Sequence, residues 1–203
     1  MGFLHRKTSK QTGKLKTLLG LAISRIAAVR RPRLARKSIA TDDVRQLLTL
    51  GHLDRAIHRA EQVIGEGNML EAFEMIEMYY KRLIENAAKL DKPGECTEEI
   101  REAAAAVMLV AGWCGELPEL PFARTILADK FGSDFAEAAK DGTGIVDPMN
   151  RELTKLDLAV GVEVFWQLNS MELKKKVTKE IAMENNIVVD FSELQDAVKD
   201  GED

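Results

Sequence analysis

The stretch KLKTLLGLAISRIAAVRRPRLARKSIATDDVRQLLTL (Lys14–Leu50), followed at once by Gly51-His52-Leu53-Asp54-Arg55-Ala56, decides the fold class. Apolar residues at Leu15, Leu18, Leu19, Ala22, Ile26 and Val29 keep the three-and-four spacing of one helix face. Pro32 lacks a backbone donor and crowds the preceding turn, so a kink is expected there, while the pattern resumes at Leu34 and reaches Leu47 and Leu48. One helix is therefore expected from about Lys14 to Thr49. Gly51 suits the conformation that closes a helix. A second helix reads from Leu53 through Ile57, Val63, Leu70, Phe73, Ile76, Tyr80, Leu83 and Ile84, with Gly65 and Gly67 as a soft spot. Two long helices joined by so short a connection run antiparallel. The expected architecture is all-α, a long antiparallel helical hairpin with shorter helices packed on it.

Working outward, Asp91-Lys92-Pro93-Gly94 marks a break, and Thr97 followed by Glu98 and Glu99 suits the start of a third helix through Val110. Gly112 to Pro121 reads as a corner. Short helices fit Phe122–Lys130 and Asp134–Lys140, before a loop from Asp141 to Pro148, where Pro148 suits a first helical turn. Met171–Glu184 is the last strongly helical segment. The run Ile187-Val188-Val189 is too short and isolated to build a sheet. The chain thus divides into a basic N-terminal segment (1–13), a helical domain (14–189) and a short acidic tail (190–203) expected to be loosely ordered.

The net charge of −4 hides an asymmetry. Residues 1–41 hold eleven basic side chains and no acid, leaving eighteen basic against thirty-three acidic residues in the remainder. Such a chain attracts anionic surfaces and copies of itself. Lys14, Lys16, Arg25, Arg30, Arg31, Arg33, Arg36 and Lys37 are the candidate membrane- or polymer-binding surface. Single-stranded nucleic acid is disfavoured as the partner, because stacking platforms are missing: Phe3 is the only Phe, Tyr or Trp in the first forty residues. Anionic lipid headgroups fit better, with Phe3 and Leu4 as a small apolar wedge. No stretch approaches the ~20 apolar residues needed to span a bilayer. No secretory signal is expected, and Arg6 stands where a myristoylation motif wants Ser or Thr.

Spacings that carry catalysis are missing. Gly65-Glu66-Gly67 lacks the strand, lysine and further glycines of a phosphate loop, and His52 and His58 are six apart, on different helix faces. Glu71, Glu74 and Glu77 suit a solvated face, with no histidine at the spacing of a helical di-metal site. Cys96 and Cys114 read as free thiols in a reducing compartment. No enzyme activity, cofactor or metal is expected.

Leu21-Ala22-Ile23-Ser24-Arg25-Ile26, Gly51-His52-Leu53-Asp54-Arg55-Ala56, Arg59-Ala60-Glu61-Gln62-Val63-Ile64, Asn68-Met69-Leu70-Glu71-Ala72 and Gly115-Glu116-Leu117-Pro118-Glu119-Leu120 together resemble the increased-sodium-tolerance family, with plant members closest. That family has an ESCRT-III-like core and regulates the vacuolar-protein-sorting AAA ATPase in multivesicular-body formation. The resemblance implies assembly with charged-multivesicular-body-type ESCRT-III proteins, membrane remodelling and a cytoplasmic, peripheral place on endosomal membranes. It also implies that the core receives a partner's C-terminal helix, for which Arg55, Arg59, Tyr80, Leu173 and Val177 are the candidates, on the exposed side of the hairpin. Two departures stand out: Pro32 within the first helix, and a chain ending at Asp203 without the Leu-rich helix by which relatives engage MIT domains, so that action on the ATPase is expected to be indirect. The alternative is a helical adaptor that binds partner peptides without touching lipid or polymerising.

Overall fold

The computed structural model describes residues 8–112, 114–140 and 170–191. Six α-helices are described: α1 Lys10–Thr49, α2 Leu53–Glu85, α3 Glu98–Val110, α4 Leu120–Phe131, α5 Ser133–Lys140 and α6 Met171–Glu184. Two short 3-10 turns, Ala87–Asp91 and Pro93–Glu95, occupy the break expected after α2. Helix α1 starts at Lys10, one turn before the expected Lys14, and runs through Pro32. The carbonyl of Ala28, deprived of its helical partner by that proline, belongs to an exposed residue, where water can satisfy it. Helix α2 is continuous through Gly65 and Gly67. Phe3, Leu4, the loop Asp141–Pro148 and the tail from Ser192 lie outside the described residues.

The α1–α2 turn is a Schellman closure. Gly51 adopts φ +75°, His52 N–H donates to Leu47 C=O at 2.9 Å, and Gly51 N–H donates to Leu48 C=O at 3.0 Å. Glycine is favoured because a Cβ is disfavoured at that φ. The same closure ends α6, with Asn186 at φ 55° and Ile187 N–H donating to Ala182 C=O at 2.9 Å. It turns the following chain so that Ile187 and Val189 pack inward while Val188 is fully exposed, which accounts for the apolar run without any sheet.

The chain forms two compact units. In the first (1–33 and 68–166), Leu15, Leu19, Ala22 and Ile26 of α1 meet Phe73, Ile76, Tyr79, Tyr80 and Leu83 of α2. Helix α3 is buried nearly all round, from Ala103 to Val110, and packs on α4 and α5. Its share of Ala lets these neighbours approach closely, and each large side chain buried here is worth about 1.5–3 kcal/mol. In the second unit (34–67 and 167–203), Ala40, Val44 and Leu48 of α1 pack with Ala56, Ala60 and Val63 of α2 and Ile181 and Ala182 of α6. Thr97 stands at the start of α3 as expected, but its hydroxyl makes no cap hydrogen bond, and Glu98 and Glu99 fill the first turn.

Candidate functional site

The eight cations expected to form one positive surface do not behave alike. In the first unit, Arg25 grips Glu119 with Nη2 2.6 Å and Nε 3.0 Å from Oε1. The hydrogen bond from Arg25 holds the Glu119 carboxyl below its ordinary range against the opposing effect of burial. Arg33 reaches Glu116 at 2.6 Å, its guanidinium carbon 5.6 Å from the centre of the Phe73 ring. Arg30 lies 3.9 Å from Glu74 and 3.6 Å from Glu77. In the second unit, Arg36 pairs with Glu66 at 2.5 Å, and the Lys37 side chain crosses α2 at Gly67, its Nζ 3.2 Å from where a Cβ would stand.

Four of the eight expected surface cations are thus spent on acids brought in from α2 and from the α3–α4 corner. This corrects the expectation of an unneutralised basic face. The corner sequence Gly115-Glu116-Leu117-Pro118-Glu119-Leu120 acts as a clasp: Leu117 and Leu120 are buried while Glu116 and Glu119 hold α1. Lys14, Lys16 and Arg31 are exposed and, among the described residues, carry no ion pair. Lys10, absent from the expected set, shares that condition. The acid-free sequence around it was the available signal.

The expected partner site is only partly assembled. Arg59 donates to Asp43 from Nε at 2.9 Å and from Nη2 at 2.6 Å, and also to Gln62. Arg55 is exposed without an ion pair among the described residues. Leu173 and Val177 are half-buried on α6, where Lys174, almost wholly buried, donates to Glu61 at 2.7 Å and ties α6 to α2. Tyr80 is a correction. It has no exposed surface, belongs to the core of the first unit, and its hydroxyl finds no hydrogen-bond partner. Burial pushes its phenol well above the usual range. Its helical spacing with Phe73 and Ile76 is that of a core position. Sequence reasoning missed an open groove of about 650 Å³ in the second unit, lined in part by Leu34, Ile39, Asp42 and Asn185. Leu34 and Ile39 are half exposed or more, because Ile39 falls off the Ala40-Val44-Leu48 stripe that faces the core.

The family profile for Ist1, "Regulator of Vps4 activity in the MVB pathway", matches residues 16–188. The chain belongs to the Ist1 family. The fold agrees with a crystal structure of the Saccharomyces cerevisiae Ist1 N-terminal domain in complex with the Did2 MIM motif. That structure has a TM-score of 0.72 and 22% sequence identity, with 90% of this chain and 96% of that chain covered. No curated protein sequence matches significantly.

In this Ist1-family chain the described side chains hold little that does chemistry. The Cys114 thiol is pushed up to about 11, chiefly by burial, and burial also raises Cys96, so neither is a ready thiolate at neutral pH. Among the described residues no group of three or more His, Cys, Asp and Glu side chains is placed to hold a metal. His52 and His58 are exposed, as are Glu71 and Glu74, while Glu77 is drawn into pairs with Arg30 and Lys81. No described helix is long and apolar enough to cross a membrane. What the arrangement offers is surface: exposed cations on α1 that carry no ion pair among the described residues, and a mixed apolar and charged face made by α1, α2 and α6 of the second unit.

Proposed function

We propose that this Ist1-family regulator works as a non-catalytic assembly partner on endosomal membranes, binding ESCRT-III proteins of the charged-multivesicular-body type and setting how much filament is available to the Vps4-type ATPase. The family match over residues 16–188 carries the reading. The Saccharomyces cerevisiae relative was crystallised with a Did2 MIM motif, and the shared fold supports a helical partner segment as the ligand here. Arg55, Arg59, Leu173 and Val177, all in the second unit, are the proposed contacts, since helix-in-groove recognition uses apolar positions rimmed by charge. Lys14, Lys16 and Arg31 are proposed to meet anionic lipid on the cytoplasmic side. Self-assembly through basic and acidic segments is proposed to weaken as salt screens it.

Calorimetry with a charged-multivesicular-body-type C-terminal helix tests the partner site. Arg55→Glu should weaken binding at least severalfold without loss of stability, whereas Arg59→Glu also breaks the pair with Asp43 and is the poorer probe. Equal affinity for wild type and Arg55→Glu removes Arg55 from the site. ATPase rates with and without filament test the mechanism. Stimulation that needs no filament contradicts indirect action, and hydrolysis by this chain alone contradicts the non-catalytic reading.

A further inference from the structure

The start of α1 is held by a single carboxylate. Asp91 Oδ2 accepts the Ser9 backbone N–H at 2.7 Å, and Oδ1 accepts the Ser9 hydroxyl at 2.5 Å, the Thr12 hydroxyl at 2.5 Å and Lys130 Nζ at 2.9 Å. Thr12 is fully buried and the Lys130 side chain nearly so, while Ser9 is exposed. The hydroxyl of Ser9 also accepts from Thr12 N–H at 3.2 Å. The Asp91 carboxylate therefore joins the first turn of α1 to the turn after α2 and, through Lys130, to α4, and the Ser9 hydroxyl is its exposed donor.

In sequence, Ser9 follows Arg6-Lys7-Thr8. Cations two and three residues before a hydroxyl are what a kinase with an acidic substrate groove selects by charge complementarity. We propose that Ser9 is a phosphorylation site for a kinase that reads basic residues, and that the phosphoryl group opens the Asp91 clasp. The Ser9 Oγ–P bond forms as the bond from the γ-phosphorus of Mg·ATP to its bridging oxygen breaks; ADP leaves and the hydroxyl proton passes to the kinase's base. Ser9 then has no O–H to donate, and a phosphate of about −1.5 to −2 faces the Asp91 carboxylate across what was a 2.5 Å hydrogen bond. An anion at a helix start is favourable, so α1 stays helical beyond its first turn, while the Gly13–Ser9 hydrogen bond of that turn loses its anchor. That gain is small beside two like charges in contact, so the first turn leaves Asp91. The clasp opens whether or not the chain binds membrane.

The test treats the full chain with Mg·ATP and the catalytic subunit of a basic-directed kinase, locates phosphate by mass spectrometry, and follows hydrogen exchange. Phosphate on Ser9 is expected, with the Gly13 amide, which donates to Ser9 C=O at 2.9 Å, exchanging about tenfold faster or more. Asp91→Asn should remove most of the difference between phosphorylated and unmodified protein, because the opposing charge is gone. Failure of the native chain to accept phosphate at Ser9, modification of Thr8 in its place, or phospho-Ser9 with unchanged exchange at Gly13 each overturns the proposal.

Discussion

Replacing Lys14, Lys16 and Arg31 together by Gln removes three cations that carry no ion pair among the described residues and sit exposed on α1. At an anionic leaflet each nearby cation contributes about 1 kcal/mol, so the triple variant should lose about 3 kcal/mol of membrane binding, roughly two powers of ten in partition. Its fold should be unaffected, since exposed substitutions away from partners stay within about 0.5 kcal/mol. The matching control removes both members of a pair, Arg25→Gln with Glu119→Gln, and leaves the net charge unchanged. That cation already lies on Glu119 at 2.6 Å, so loss of the pair should change vesicle binding far less. Arg25→Gln alone should instead lower the melting temperature, because Glu119, buried in the clasp, loses its cation. Co-sedimentation with phosphatidylserine-containing vesicles at low salt, paired with thermal melts of each variant, reads both effects. Added salt should erase the wild-type advantage as the Debye length falls toward ~8 Å at physiological ionic strength. Unchanged sedimentation of the Lys14, Lys16, Arg31 variant, or equal weakening by that variant and the paired control, refutes the division into free and committed cations.

Phe73→Ala should cost about 3–5 kcal/mol in urea unfolding, since the ring is fully buried and also lies under Arg33; a loss below 1 kcal/mol contradicts that placement. Gly51→Ala should destabilise by roughly 1 kcal/mol, while Gly20→Ala, within α1 with open space at its Cβ position, should stabilise by about 0.5–1 kcal/mol; melts of the two variants should move in opposite directions. Burial disfavours the Asp91 anion, but the donors Ser9, Thr12 and Lys130 outweigh it and hold the carboxyl well below the usual carboxylate range. Its stabilisation is therefore fully present above the unfolded value of about 3.9 and is lost only as pH falls through the lower folded value. The gap in unfolding free energy between wild type and Asp91→Asn should be constant from neutral pH to about pH 5 and close in stronger acid; a gap that closes near neutrality means that another group controls it.

The all-helical class, the two long helices and their closure were legible from local rules. Leu15, Leu19, Ala22 and Ile26 keep the period of a buried stripe, and all four are buried; Gly51 stands where a left-handed residue is needed and has φ +75°. Met171–Glu184 was read to the residue from its helical pattern, and the structure adds Ser170 as the cap, its side chain accepting from Leu173 N–H. Helical periodicity says which face is apolar, but not which distant side chain lies opposite the polar one. Arg25 and Glu119 are 94 residues apart and Arg36 and Glu66 are 30 apart, so in a stretch of forty-one residues that looks wholly unneutralised, Arg25, Arg30, Arg33 and Arg36 are paired in space. The burial of Tyr80 and the exposure of Leu34 and Ile39 likewise depend on how each helix is rotated against its neighbours. Local spacing determined the helices and their apolar stripes. Tertiary packing alone decided which cations remain free to meet a partner, because ion pairing requires two side chains within a few ångströms and only the assembled core sets that distance.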